Sequence, residues 1–484
     1  MSRKKKDSII LHSIRVEGLA AEGQALCHAL LPTEAPGTTP RVMFVPYAVP
    51  GDVIDVLVTK RKKTFLEGRI ERIVEPSPYR LEPKCPHFGV CGGCCFQTVP
   101  YEMQLEAKRQ QVEDQFTRIG HLDFPGVKPT LPSERKFYYR NKLEFSASNK
   151  RWILPNENMD ALTDSEREGL GFHIGRFFDK VLDIKECFLQ KDPSNAIRLF
   201  VKNYCQTHLI PFYDFREHSG ILRNIIIRTT ETGNVMLIFS FAADFDGRCG
   251  LLDAVAAEFP AVTSLYYIIN DKLNDSIADR ECILYKGEDS IYEQMEDLSF
   301  RIGPKSFYQT NSLQAYRLYS VVREFAGLSG SELVYDLYTG TGTIAQFVSK
   351  KASHVIGIEY VPEAIEDAKD NAQRNGITNC EFFAGDMKDV LSDEFVGVHG
   401  HPDVLILDPP RAGVHPDVLD VILRAAPKRI VYVSCNPATQ ARDLAVLSSA
   451  YRIEEVQPVD MFPHTHHVEN VCRLEKIAPA SLND

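Results

Sequence analysis

Cys435 stands in Ser434-Cys435-Asn436-Pro437, and further along Asp460-Met461-Phe462-Pro463-His464-Thr465-His466-His467-Val468-Glu469-Asn470 offers Glu469 and three histidines. A deprotonated cysteine is a strong nucleophile, and a carboxylate or imidazole beside it can take a proton. Such a set suits methylation of a carbon that is not itself reactive, of which C5 of a uracil is an example. Thiolate addition at C6 makes C5 a carbanion that accepts a methyl group; a base then removes the C5 proton and the thiol is eliminated. Glu469 and the histidines are all candidates for that base.

A methyl donor needs a site, and Asp336-Leu337-Tyr338-Thr339-Gly340-Thr341-Gly342-Thr343 supplies one at the end of an expected strand. Its glycines let backbone approach a ligand where open α/β sheets bind nucleotides. The order differs from G-x-G-x-x-G, and Asp336 would repel a diphosphate. S-adenosylmethionine carries no phosphate and two cationic groups, so an acidic entrance favours it. Glu359, ending the next strand, suits both hydroxyls of a ribose, and Asp386, after the third, the adenine amino group. The fourth strand runs into Asp408-Pro409-Pro410-Arg411-Ala412-Gly413.

These residues need a scaffold that brings strand ends together. From about Ser306 the chain alternates strand, loop and helix, with strands expected at 333–337, 354–359, 380–384, 404–407 and 429–433; that rhythm predicts a doubly wound, mostly parallel sheet. Residues 9–75 read as short strands broken by Pro46, Pro50 and Gly51, a small β-barrel with a basic tract at Lys60–Lys63. The joint Glu75-Pro76-Ser77-Pro78 ends it. A charged helix is expected from about Tyr101 to Gly120, and a mixed α+β region over 130–300. The division is 1–78, 79–300 and 301–484.

Cys85, Cys91 and Cys94 lie on a Gly-rich loop with spacing C-x5-C-x2-C. Thiolates so placed can converge on one centre that needs a fourth ligand; the spacing leaves zinc and iron–sulfur open, with Cys95 and His87 as competitors. Arg135-Lys136-Phe137-Tyr138-Tyr139-Arg140-Asn141-Lys142 interleaves basic and aromatic side chains, which suits either single-stranded RNA or a strand with a buried aromatic face.

Composition agrees with a multidomain globular protein: 484 residues, 44% hydrophobic and 25% charged. The net charge of −11 hides a division, for residues 1–150 hold 23 Lys+Arg against 17 Asp+Glu, and the remainder 32 against 49. A local basic surface is what meets a polyanion. With no apolar run of membrane-spanning length and no signal-like start, a cytoplasmic protein without membrane contact is expected.

Taken together, Asp408–Arg411, Ser434–Pro437 and Val468–Glu469 resemble the RNA uracil-C5 methyltransferases, closest to the RumA-like bacterial 23S ribosomal RNA (uracil-5-)-methyltransferases. The resemblance spans nearly the whole chain. It implies an N-terminal OB-like TRAM β-barrel, a central mixed α+β RNA-binding domain and a C-terminal Rossmann-like class I methyltransferase domain. It implies Cys435 as nucleophile, Glu469 as base, and contacts to S-adenosylmethionine from Gln309, Tyr338, Glu359 and Asp408. It favours a [4Fe–4S] cluster on Cys85, Cys91, Cys94 and Cys187. The substrate it implies is a flipped uridine in a loop of 23S ribosomal RNA, and the protein is expected to be a monomer. Thr339 and Thr343 depart from the family's usual Cys and Asn, so a side-chain contact at Thr343 is not carried over.

Three other readings are tested by the same residues. A transfer RNA uracil-C5 methyltransferase would share the chemistry. An amino-methyltransferase would use Asp408-Pro409-Pro410 but needs no Cys435, and a non-catalytic RNA-binding iron–sulfur protein needs neither Cys435 nor Glu469.

Overall fold

The computed structural model describes residues 9–478 apart from 36, 155, 156 and 176. Strands β1 (Ile10–Arg15), β2 (Gly18–Leu19), β3 (Gln24–Ala29), β4 (Arg41–Pro46), β5 (Val53–Arg61) and β6 (Phe65–Glu75) form a sheet in the order β1-β5-β6-β4-β3-β2. The amide of Glu17, just past β1, donates to Leu26 O in β3 at 2.9 Å, so the sheet curls back on itself. Period-2 alternation puts Ala25, Cys27, Met43, Val45, Ile54 and Val56 inside.

Helix α1 (Tyr101–Arg118) follows. The middle sheet comprises β7 (Lys142–Ser148), β8 (Gly169–Ile174), β9 (Phe177–Leu182), β10 (Leu222–Thr229), β11 (Val235–Phe241), β12 (Val262–Ile269) and β13 (Ile283–Gly287) in the order β13-β12-β11-β10-β7-β8-β9. Helix α2 (Ser194–Thr207) precedes β10, and α3 (Arg248–Glu258) makes the crossover between the parallel pair β11 and β12. A hairpin of β14 (Ile291–Met295) and β15 (Leu298–Ile302) leads on.

The last sheet joins β16 (Leu333–Leu337), β17 (His354–Glu359), β18 (Cys380–Ala384), β19 (Val404–Leu407), β20 (Arg429–Ser434), β21 (Tyr451–Val459) and β22 (Glu469–Lys476) in the order β18-β17-β16-β19-β20-β22-β21. Helices α4 (Ser312–Ala326), α5 (Thr343–Ser349), α6 (Pro362–Arg374), α7 (Met387–Val390), α8 (Asp393–His399), α9 (Pro416–Ala425) and α10 (Pro437–Leu447) accompany it. Strands β16 to β20 are parallel and mostly apolar because apolar side chains cover both faces of the central strands, with Asp336 of β16 and Glu381 of the edge strand β18 among the exceptions. The strand order reverses between β16 and β19, which opens a crevice at their carboxyl ends.

Two features lie outside the sequence-based reading. The tail bearing Glu469 closes the sheet as an antiparallel pair, β21 with β22. Helix α1, expected with the middle region, lays Val112 and Phe116 into the core beside β20, β21 and α10. The middle and last sheets also share one core, in which Ile226, Met236 and Tyr266 meet Phe300, Leu318 and Val334. Among the described residues no helix is long and apolar enough to cross a membrane.

Candidate active site

Cys435 sits in the turn between β20 and α10. Asn436 caps the helix by accepting from the Ala438 amide, and Pro437 occupies its first turn, so the chain leaves the strand sharply at Cys435. On the neighbouring strand Ser434 pairs with Asn470, so continuing the antiparallel register by one residue sets Cys435 opposite Glu469. Glu469 pairs with Val459 on its other side. Glu469 is only 6% exposed, while Cys435 is half-buried.

Burial dominates the charge states. It pushes Glu469 up to about 8, helped by Asp408 and opposed by Arg411. It pushes the Cys435 thiol up to about 11, with Glu469 and Asp408 raising it and Arg411 lowering it. Four side chains from three strand ends therefore share one field. Arg411 is held for this by its own backbone, since Asn436 Nδ2 donates to Arg411 O at 3.0 Å and Thr439 Oγ1 at 3.2 Å.

Beside them lies an acidic crevice. Asp408 stands one residue beyond the Leu337–Leu407 pair and Asp336 one residue before it. Burial lifts Asp336 to about 7, with Glu359 adding to the rise, and lifts Asp408 to about 7, with Asp336 adding to it. Asp336 Oδ2 accepts from Thr339 Oγ1 at 2.5 Å and from the Ala345 amide at 3.0 Å, but its buried Oδ1 has no partner. Glu359 accepts from the amides of Gly340 and Val361 at 3.2 and 3.1 Å. Tyr338 lies between them with φ +65°, a left-handed conformation disfavoured for a side chain this large. Asp386 caps α7 through Oδ1, with Lys388 Nζ 3.6 Å from Oδ2. The Gln309 side chain meets the hydroxyl of Tyr319 on α4, a buried group close enough to Asp408 and Asp336 to feel both. Tyr319 has no sequence signature that marks it for the site, and Arg411 stood in the Asp408–Arg411 motif without a role assigned to it.

The thiols of Cys85, Cys91, Cys94 and Cys187 share one neighbourhood, and Cys187 is raised to about 12 by burial and then by the other three. His87 Nε2 accepts from the Lys185 amide at 2.8 Å, which ties the two cysteine loops together. The Cys95 amide turns away to donate to His464 O. Among the described residues no group of three or more His, Cys, Asp or Glu converges as one bound ion would require.

Residues 135–140 form no regular strand; β7 begins at Lys142. Phe137 packs at a tilt against His464 with centroids 4.4 Å apart, Arg140 lies over Phe462, and Tyr139 Oη donates to Pro463 O at 3.0 Å. The segment thus lines the loop that leads into Glu469.

A family model described as tRNA (Uracil-5-)-methyltransferase matches residues 280–477. A protein of Porphyromonas gingivalis described as an "uncharacterized RNA methyltransferase" is 56% identical over 469 residues, spanning 95% of this chain and 99% of that protein. One of the same description from Bacteroides thetaiotaomicron is 54% identical, over 94% and 100%. The crystal structure of Pyrococcus abyssi tRNA (uracil-54, C5)-methyltransferase, solved with S-adenosyl-L-homocysteine, superimposes with a TM-score of 0.73 and 29% identity over 96% of this chain and 100% of that one. A Rossmann-like sheet ending in an acidic crevice defines the class as an α/β methyltransferase. The chain belongs to the RNA uracil-5-methyltransferase family.

Proposed function

We propose that the protein transfers a methyl group from S-adenosylmethionine to C5 of a uridine in RNA, through a covalent adduct between Cys435 and C6. The observation that carries this reading is the register setting Cys435 opposite Glu469 at the ends of β20 and β22, beside Asp408 and Arg411. The donor site fits: the unpartnered Asp336 Oδ1 and the buried, raised carboxylates of Asp336 and Asp408 call for a cationic ligand. Gln309, Tyr338, Glu359, Asp386 and Asp408 would hold it. Bound there, S-adenosylmethionine supplies an electrophilic methyl.

Cys435, as thiolate, forms the bond to C6, and the C5–C6 π pair moves onto C5, which takes the methyl. The Glu469 carboxylate then accepts the C5 proton. The C–H electron pair restores the C5–C6 double bond, the S–C6 bond breaks and the thiolate is returned. Arg411 stabilises the thiolate and the carboxylate in turn, as its influence on both groups requires.

Cys85, Cys91, Cys94 and Cys187 would hold a [4Fe–4S] cluster. The Cys187 thiol feels those of Cys85, Cys91 and Cys94, which supports one shared centre for the four. The curled N-terminal sheet is read as the TRAM-type barrel and the Arg135–Lys142 segment as RNA-facing, within the division 1–78, 79–300 and 301–484. The RNA is read as 23S ribosomal RNA, its target uridine flipped out of the stack because Cys435 lies in a crevice. The protein is read as a cytoplasmic monomer. Transfer RNA is the second reading, favoured by the substrate named for the Pyrococcus abyssi neighbour.

The test is incubation with S-adenosylmethionine and unmodified transcripts of 23S ribosomal RNA and of transfer RNAs. The expected result is 5-methyluridine in the ribosomal RNA, none with Cys435→Ala, and a methylated protein–RNA adduct trapped by Glu469→Gln. Methylation of transfer RNA alone replaces the substrate; methylation that survives Cys435→Ala overturns the mechanism.

A further inference from the structure

Helix α1 buries Tyr101, Gln104, Lys108, Val112 and Phe116, which recur every three to four residues along one stripe. Two members of that stripe are strongly polar, and polar groups are buried at a cost unless they are partnered. Both reach the loop between β21 and β22, and Gln104 Nε2 also donates to Phe96 O and Val99 O at 3.1 and 2.9 Å.

Lys108, 1% exposed, sets its Nζ 2.5 Å from Asp460 Oδ1, and Asp460 is fully buried. The same ammonium donates to Phe462 O at 3.1 Å. Tyr101 Oη donates to Asp460 Oδ2 at 2.6 Å. Gln104 Oε1 accepts from the His464 amide at 2.9 Å. From outside α1, the amides of Cys95 and Phe96 both donate to His464 O, at 2.8 and 3.1 Å. His464 is held at φ +65°, so this clamp maintains a backbone conformation the loop would not choose.

The register gives the clamp its consequence. Asp460 directly follows Val459, and Val459 is the cross-strand partner of Glu469. Displacing Asp460 therefore moves the residue that sets the position of Glu469, whereas β16 and β17 lie on the far side of β19 and β20 in the sheet.

We infer that Lys108 and Tyr101 are positioning residues for the reaction: through Asp460 they hold Glu469 where it can take the C5 proton. The inference rests on the reading of Glu469 as the base. It puts part of the catalytic geometry on a helix some 170 residues before the stretch that the family model matches. Loss of the clamp slows the step after methyl transfer, so methylated adduct on Cys435 accumulates. A purely structural role would lower the amount of folded protein and leave the adduct fraction unchanged.

The experiment uses the full chain with S-adenosylmethionine and unmodified transcripts of 23S ribosomal RNA and of transfer RNAs, reading turnover, KM for S-adenosylmethionine and the denaturant-resistant protein–RNA adduct. For Lys108→Met, turnover is expected to fall about tenfold to a hundredfold, the loss that a small misplacement of a catalytic group produces. KM for S-adenosylmethionine stays within about twofold because neither Lys108 nor Asp460 is bonded to Asp336, Glu359 or Asp408. The adduct fraction rises toward that of Glu469→Gln. Should Lys108→Met fail to fold, Tyr101→Phe, which deletes one hydroxyl, decides by the same rise. Wild-type turnover and adduct in the folded variant overturn the inference alone, provided that Glu469→Gln still traps adduct. If Glu469→Gln traps none, the base assignment falls and the inference with it.

Discussion

Glu469 offers a quantitative check on the site, because burial beside Asp408 moves its ionisation from the ordinary carboxylate range to about 8. A carboxylate with a raised folded pKa favours the folded state while protonated. Its contribution is whole below its unfolded value and is lost as the pH rises through about 8. Histidines held neutral by burial, such as His464 and His467 at about 4, act oppositely but only below about pH 6.5. Buried thiols begin to matter only above about pH 8.5. The window between isolates the carboxylates. Across pH 6.5 to 8 Glu469 titrates for about 1.5 units at about 1.4 kcal/mol each, so about 2 kcal/mol of stability disappears as an upper figure, since Asp408 titrates with it. At about 1 °C per kcal/mol for a cooperative unit of this size, the wild-type melting temperature falls about 2 °C further than that of Glu469→Gln over the same interval. The same carboxylate must be ionised to accept the C5 proton after methyl transfer, so the rate at which methylated adduct breaks down rises with pH and levels above about pH 8. Melting curves that fall in parallel for the two proteins, or a rate profile already level at pH 6, would falsify the assignment of a buried, raised carboxylate at this position.

Gly413 has φ +82°, and a Cβ there would lie 2.5 Å from Arg442 Nη2 and 2.6 Å from Asp443 Oδ2, an atom that already accepts from the Val414 amide and Tyr432 Oη. Gly413→Ala should cost about 2 to 3 kcal/mol and reduce turnover by displacing Arg411, with binding of S-adenosylhomocysteine retained; a melting temperature within about a degree of wild type refutes this. Cys187→Ser should remove iron and acid-labile sulfide together from the purified protein, whereas stoichiometric zinc in either protein would replace the cluster by a single-ion site.

The parallel strands were legible because most are apolar runs of four to six residues, and three of them end at a residue that interrupts the run. Val404–Leu407 stops at Asp408, Arg429–Ser434 at Cys435, and His354–Glu359 at its own carboxylate. In a sheet covered on both faces, the interruption marks the carboxyl end, which is where chemistry collects. Glu469 was legible as a residue but not as a position. Its strand has Arg473, Glu475 and Lys476 after the apolar stretch, and the antiparallel pairing that sets Glu469 opposite Cys435 is a property of two segments, not one.

Helix α1 shows a stronger form of the same limit. Its stripe 101/104/108/112/116 has helical spacing, yet Gln104 and Lys108 break the apolar pattern, so the sequence reads as a solvated charged helix. What reverses that reading is Asp460, 352 positions away, which neutralises a lysine that could not otherwise be buried. A local pattern registers the cost of burying a charge and cannot register its partner. Polar residues on an otherwise apolar helical stripe are therefore where sequence-based reading should look for a distant acid, and in this chain the acid found lies one residue past the partner of the proposed base.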